Sequence, residues 1–213
     1  MYPVSNNKND TPITKYYNYS KLAPIIQVYF DGLCQPFNPG GIACYAFVIM
    51  IKDKKQEAKY GLAAEPFSDD SSNNVAEYTG VIKALEWLLQ NNFSDKQVIV
   101  KGDSKLVIFQ IKGKYKVKAA RIIPLYTLSM NLISKFKSID FEWIPREENK
   151  EADALSYKAY QETLDSNPAL YEKVGQYMAT EKQLRILRIL GIEPDKYLSK
   201  MEANRLISKL VVS

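Results

Sequence analysis

The chain has 213 residues, 46% of them hydrophobic, and a net charge of +5, enough for one well-buried domain with an appendage but not for two full domains. With no histidine and only two cysteines, Cys34 and Cys44, it excludes the usual zinc ligand sets, a Ser/His or Cys/His nucleophile pair and a histidine general base. Chemistry must run on carboxylates, Lys, Arg or Tyr. No apolar run reaches membrane-spanning length and the N-terminus lacks a signal-peptide core. A soluble, cytoplasmic protein with no membrane partner is therefore expected, and the mildly basic balance permits a polyanionic one.

Residues 1–23 are rich in Asn, Lys, Tyr and Ser without either apolar period, the pattern of a flexible N-terminal arm. From Pro24 the pattern predicts a strand at Ile25–Asp31, a Gly/Pro turn at Gln35–Gly41 and a long strand at Ile42–Ile51. A polar turn at Asp53–Lys55 and a third strand at Glu57–Ala64 complete an antiparallel meander. Cys34 and Cys44 flank the first turn, where they could face each other, and free thiols are expected there. Asp69–Asn74 suits helix capping, and Val75–Gln90 has helical periodicity that turns Glu77 toward the sheet. Gln97–Val100 reads as a buried strand, closed by Gly102-Asp103. A short helix at Leu106–Ile111, the basic stretch Lys112–Arg121, a helix at Arg121–Phe136, a strand at Ile139–Ile144 and a helix at Glu148–Tyr160 follow.

Four acids stand out in this order. Asp31 lies in an apolar strand, where an isolated charge is costly. Asp103 ends another strand, at the edge where open α/β sheets gather their sites. Glu77 and Asp153 fall in what the periodicity makes the first turns of helices, where the dipole favours the ionised form. Brought together, they would repel unless divalent cations sat among them.

Asp31-Gly32 after an apolar strand, Asn38-Pro39-Gly40-Gly41, Asn73-Asn74-x-x-Glu77, Gly102-Asp103-Ser104 and Asn149-x-x-x-Asp153, taken together and in this order, resemble type 1 ribonuclease H. The resemblance covers roughly residues 24–160 and implies an α/β fold, a mixed five-stranded sheet flanked by helices. It places a catalytic domain at 24–165. It also implies that Asp31, Glu77, Asp103 and Asp153 hold two Mg²⁺ ions, with Mn²⁺ a possible substitute. The implied activity is hydrolysis of the RNA strand of an RNA–DNA hybrid to 5′-phosphate and 3′-hydroxyl ends. Double-stranded RNA, DNA junctions and a non-catalytic hybrid-binding module remain the alternatives.

By the same resemblance Asn38, Gly40, Asn73, Asn74 and Ser104 line the substrate groove, although turn and cap chemistry asks for the same residue types. Lys112, Lys114, Tyr115 and Lys116 read either as a solvated connection or as a surface that tracks phosphates. Arg146 stands where the bacterial family carries a loop histidine. Its guanidinium cannot act as a base but can stabilise phosphate charge; the alternative is a surface pair with Glu147 or Glu148. Beyond a linker from 166, Thr180-x-x-Gln183 and Ser199-x-x-Glu202 read as capping boxes of a small helical hairpin. Lys182, Arg185 and Arg188 make a basic stripe on its first helix, so the hairpin either binds nucleic acid or docks on the catalytic domain.

Overall fold

The computed structural model describes residues 25–211, so the expected N-terminal arm at 1–23 lies outside the described residues. Five strands, β1 (Ile26–Gln35), β2 (Ile42–Ile51), β3 (Lys54–Leu62), β4 (Gln97–Gly102) and β5 (Ser138–Trp143), form one sheet in the order β3-β2-β1-β4-β5. The β1–β2 and β2–β3 pairs are antiparallel and the β1–β4 and β4–β5 pairs parallel, which makes the sheet mixed, with β1 at its centre. Helix α1 (Asn73–Gln90) covers one face, with α2 (Lys105–Ile111) and α3 (Ile123–Ile133) beside it; α4 (Lys150–Ser166) covers the other.

Because side chains alternate across a strand, Ile26, Val28 and Phe30 of β1 enter the core under α1 with Tyr78, Val81, Leu85 and Leu88. The other face carries Asp31 and Leu33 toward α4. Strand β2 is covered on both sides and reads as a nearly continuous apolar run. The approach of α1 is closest at Gly32, where a Cβ would lie 2.3 Å from the backbone nitrogen of Glu77. Only glycine lets helix and strand meet here, and that meeting sets Glu77 beside β1.

Several expected boundaries move. Strand β1 runs four residues past Asp31, so the carboxylate is inside the strand rather than at its end. Lys52 and Asp53 both adopt left-handed backbone, φ 52° and 58°, closing the second hairpin in two residues so that β3 pairs from Lys54. Helix α1 begins at Asn73, with Ser72 as its cap (Oγ accepting from Val75 N, 3.4 Å), and this puts Glu77 beyond the first turn. The charge of Glu77 therefore draws little on the helix dipole. Arg121 precedes α3 and donates through Nη1 to the Asp69 carbonyl at 2.5 Å.

The two thiols do not face each other. Cys34 pairs in register with Ala43, and Cys44 with Leu33. This offset of one residue sends them to opposite faces of the sheet. Both are free and buried, and burial pushes the Cys44 thiol up to about 12. Alkylation in denaturant is expected to add two adducts per chain by intact mass, with slow modification of the native protein. A two-dalton deficit without alkylation would contradict it.

The expected linker holds a helix, α5 (Pro168–Gly175), capped by Asn167, whose Oδ1 accepts from Leu170 N at 3.2 Å. Helices α6 (Glu181–Ile189) and α7 (Lys200–Val211) follow and pack on each other with their N-terminal ends together, where Gln183 Nε2 donates to the Lys200 carbonyl (2.9 Å) and to Asn204 Oδ1 (2.8 Å). The Thr180/Gln183 capping box is complete. At Ser199 only half of one forms: its Oγ accepts from Glu202 N, while the Glu202 carboxylate turns to Arg205. This C-terminal unit is docked. Val174 and Tyr197 join Ile42, Cys44, Ala159, Tyr160 and Leu164 in a second apolar cluster, and the Tyr177 ring lies 4.8 Å from that of Phe37. No helix among the described residues is long and apolar enough to cross a membrane.

Candidate active site

The parallel register of β1 and β4 pairs Tyr29 with Lys101. Two residues further along each chain, in the same pleat phase, stand Asp31 and Asp103. Gly32 brings the start of α1 against this edge, and one carboxylate oxygen each from Asp31, Glu77 and Asp103 comes within 4.8 Å of the others. Asp153, on the first turn of α4, is not in that trio. Its Oδ1 accepts from Arg146 Nη2 at 2.5 Å, and Arg146 begins a short 3₁₀ turn, Arg146–Glu148, after β5. Arg146 thus pairs with Asp153, not with Glu147 or Glu148.

Two polar side chains hold the cluster. Asn149 is buried and donates from Nδ2 to the Phe30 carbonyl (2.9 Å) and to Asp103 Oδ1 (2.8 Å), tying β1, Asp103 and the start of α4 together. Ser156, one turn beyond Asp153, donates to Asp31 Oδ2. Asn149 was visible in the sequence only as part of a spacing motif. Ser156 was not singled out at all; its signal is a hydroxyl in the otherwise apolar stripe Ala152, Ala159, Tyr160.

The electrostatics are unfavourable without a cation. Burial pushes the Asp31 carboxyl up to about 6 against the Ser156 hydrogen bond, with Asp103 and Asp153 adding to the rise. Burial, then Asp31 and Asp103, push Glu77 well above the carboxylate range. Asp153 is also raised by burial, although Arg146 opposes it. Glu77 Oε2 is buried with no hydrogen-bond partner. Three clustered carboxylates offering only oxygen, one atom of them orphaned, fit a hard divalent cation.

The other candidate residues fall in two places. Around the start of α1, Asn38 Oδ1 accepts from Asn73 N (3.0 Å) and Gly40 N donates to the Ser71 carbonyl (2.7 Å). Asn74 is exposed beside them. Gly40, at φ +94°, also lines a cleft of about 560 Å³ that reaches Asp69 and the Ala119–Arg121 segment. Ser104 caps α2, accepting from Val107 N at 3.5 Å. Beyond the end of α2, Lys112 is committed to β5 through Asp140 Oδ1 (2.9 Å) and the Phe141 carbonyl (2.7 Å). Tyr115 stands edge-on to Phe109 with Lys114 over the same ring, and the Lys116 carbonyl accepts from Gln110.

A family profile described as reverse transcriptase-like matches residues 39–159, taking in Glu77, Asp103 and Asp153 and beginning beyond Asp31. The bifunctional protein Rv2228c of Mycobacterium tuberculosis is 39% identical over 89 residues, which are 42% of this chain and 24% of that protein. The chain thus spans about a quarter of the length of this relative. Among solved structures, the N-terminal RNase H domain of rv2228c, fused to maltose binding protein, is similar with a TM-score of 0.59 and 31% identity, over 67% of this chain and 98% of that one. LC11-RNase H1 in complex with an RNA/DNA hybrid is similar with a TM-score of 0.55 and 30% identity, over 65% of this chain and 99% of that one.

Proposed function

The chain belongs to the reverse transcriptase-like family, with a ribonuclease H domain, and on that premise we propose that it is an endoribonuclease hydrolysing the RNA strand of RNA–DNA hybrids at its carboxylate cluster. One observation carries this reading: carboxylate oxygens of the buried Asp31 and Glu77 and the half-buried Asp103 within 4.8 Å of one another, in a chain that has no histidine to offer. The similarity to a ribonuclease H1 solved with a hybrid supports the choice of substrate.

Asp31, Glu77 and Asp103, with Asp153 at their edge, would hold two Mg²⁺ ions, and Mn²⁺ offers the same preference for oxygen. The chemistry such ions supply when bound is activation of water and charge neutralisation at the leaving 3′ oxygen, which leaves 5′-phosphate and 3′-hydroxyl ends. The rest falls to the protein. Asn149 and Ser156 fix the directions of Asp103 and Asp31, so little reorganisation is needed when the substrate arrives. Arg146 keeps a permanent positive charge beside Asp153 for the scissile phosphate. Around the start of α1, the Asn38, Asn73 and Asn74 amides can read 2′-hydroxyls as donor and acceptor, which distinguishes RNA from DNA.

Labelled hybrid, duplex RNA and duplex DNA, each incubated with and without Mg²⁺, test this. Cleavage of the RNA strand of the hybrid, dependent on the metal, is expected. Preferential cleavage of duplex RNA or of DNA would move the assignment to another nuclease on this fold, and binding without cleavage would reduce it to a hybrid-binding module.

A further inference from the structure

A second cleft, of about 360 Å³, opens between the C-terminal unit and Arg146, the partner of Asp153, in the size range in which proteins seat small ligands. Its inner wall is Gln35, Arg146 and Tyr157. Gln35 lies four residues beyond Asp31 on the same face of β1, and Tyr157 follows Ser156, the donor to Asp31. Its outer wall comes from the α6–α7 connection and α7, including Asp195, Glu202 and Arg205.

The outer wall is fixed in place. Asp195 accepts from Tyr157 Oη (2.8 Å) and the Tyr197 backbone nitrogen (2.7 Å) through one oxygen, and from Gln161 Nε2 (2.9 Å) through the other. Its carboxylate is thereby filled by donors from α4 and its own loop. Glu193 lies 3.7 Å from Arg188, which leaves Arg146 and Arg205 as the guanidiniums of the cleft. Each rests on one carboxylate, Arg146 on Asp153 at 2.5 Å and Arg205 on Glu202 at 2.6 Å. Both arginine side chains are about two-thirds exposed, 64% and 69%. Such exposed pairs are weak and readily exchanged, and a planar guanidinium binds a phosphodiester through two parallel hydrogen bonds.

Resting on the assignment of hybrid as substrate, we propose that this cleft is a further phosphate-binding subsite, in which Arg205 of the C-terminal unit grips the backbone of the substrate strand next to the nucleotide at the carboxylates. The unit is then one wall of the substrate groove. A phosphate entering the cleft takes Arg205 from Glu202, so the two residues have opposite effects on affinity.

The test measures hybrid binding against salt concentration in the full chain, with Asp103→Asn introduced to prevent turnover. Arg205→Ala is expected to weaken binding and to flatten the slope of log affinity against log salt by about 0.7–0.9, the loss of one phosphate contact. Glu202→Gln is expected to tighten binding. Lys96→Ala removes an equal charge next to β4 at the end away from Asp103, and is expected to leave the slope unchanged. If the unmodified chain cleaves the hybrid while Arg205→Ala behaves as Lys96→Ala does, the subsite is overturned and the enzyme assignment stands. If the unmodified chain leaves the hybrid intact, the assignment falls and the subsite with it.

Discussion

Asp31→Asn is expected to abolish hybrid cleavage and, without divalent ions, to raise the melting temperature at pH 7 to 8. The first effect follows from removing a charged oxygen from the carboxylate cluster proposed to hold the metal ions, and the second from what that charge costs the fold. Burial pushes the Asp31 carboxyl up to about 6 in the folded chain, from an ordinary aspartate value of 3.8. A raised folded value means that the unfolded chain gives up its proton first, so stability falls as the pH rises from about 3.8 to about 6 and stays low above that. The difference is about 3 kcal/mol against the ionised fold. Asparagine keeps an acceptor for Ser156 and carries no charge. Its stabilisation should therefore be present at pH 7 to 8, absent at pH 4, and diminished when divalent ions are added to the unmodified protein. Turnover comparable to the unmodified enzyme would remove Asp31 from the site; an unchanged melting temperature at pH 8 would remove the electrostatic account.

Arg146→Ala is expected to lower turnover at least tenfold, about 1.4 kcal/mol of barrier, with little change in melting temperature. The structural cost is small because the Arg146–Asp153 pair is exposed on the arginine side. The catalytic cost is larger because a guanidinium is the permanent cation adjoining the trio, and its charge acts where negative charge develops. Arg146→Lys should recover only part of the rate, since an ammonium lacks the two parallel donors. Steady-state turnover across pH 6 to 9 checks both variants. A rate equal to that of the unmodified enzyme would leave Arg146 as the ion-pair partner of Asp153 and nothing more.

The residues most readily seen in the sequence are those that break a local pattern. Asp31 interrupts an apolar strand, Glu77 an apolar helix face, and Asp103 ends a buried run; each is visible because local periodicity is short-range and strong. Strand β2 could be bounded at Ile42–Ile51 for the same reason. Helix α5 was not seen because Pro168 looks like a breaker, although after Asn167 it is the preferred residue of a first turn. The left-handed pair Lys52–Asp53 carries no glycine to announce its hairpin turn. Lys112 looked like a surface cation, and only the packing of α2 beside β5 reveals that Asp140 and the Phe141 carbonyl hold it. Partners of this kind, like Ser156 for Asp31, are set by tertiary packing and leave no periodic trace.

The bonds that orient the carboxylates also decide when the chain can first become active. Asn149 reaches Phe30 across 119 residues, and Ser156 reaches Asp31 across 125. During synthesis β1, β2 and β3 can pair as a local meander, but α4, which lies across these three strands, emerges only after β4 and β5 have been made. Such distant closures are paid in loop entropy before they are rewarded, which makes them late and slow events in folding. A nascent chain that has not yet released Ser156 from the ribosome therefore has its acids but not their alignment. Hydrolytic capacity should switch on in one step when α4 docks, and no N-terminal fragment ending before it should cut nucleic acid.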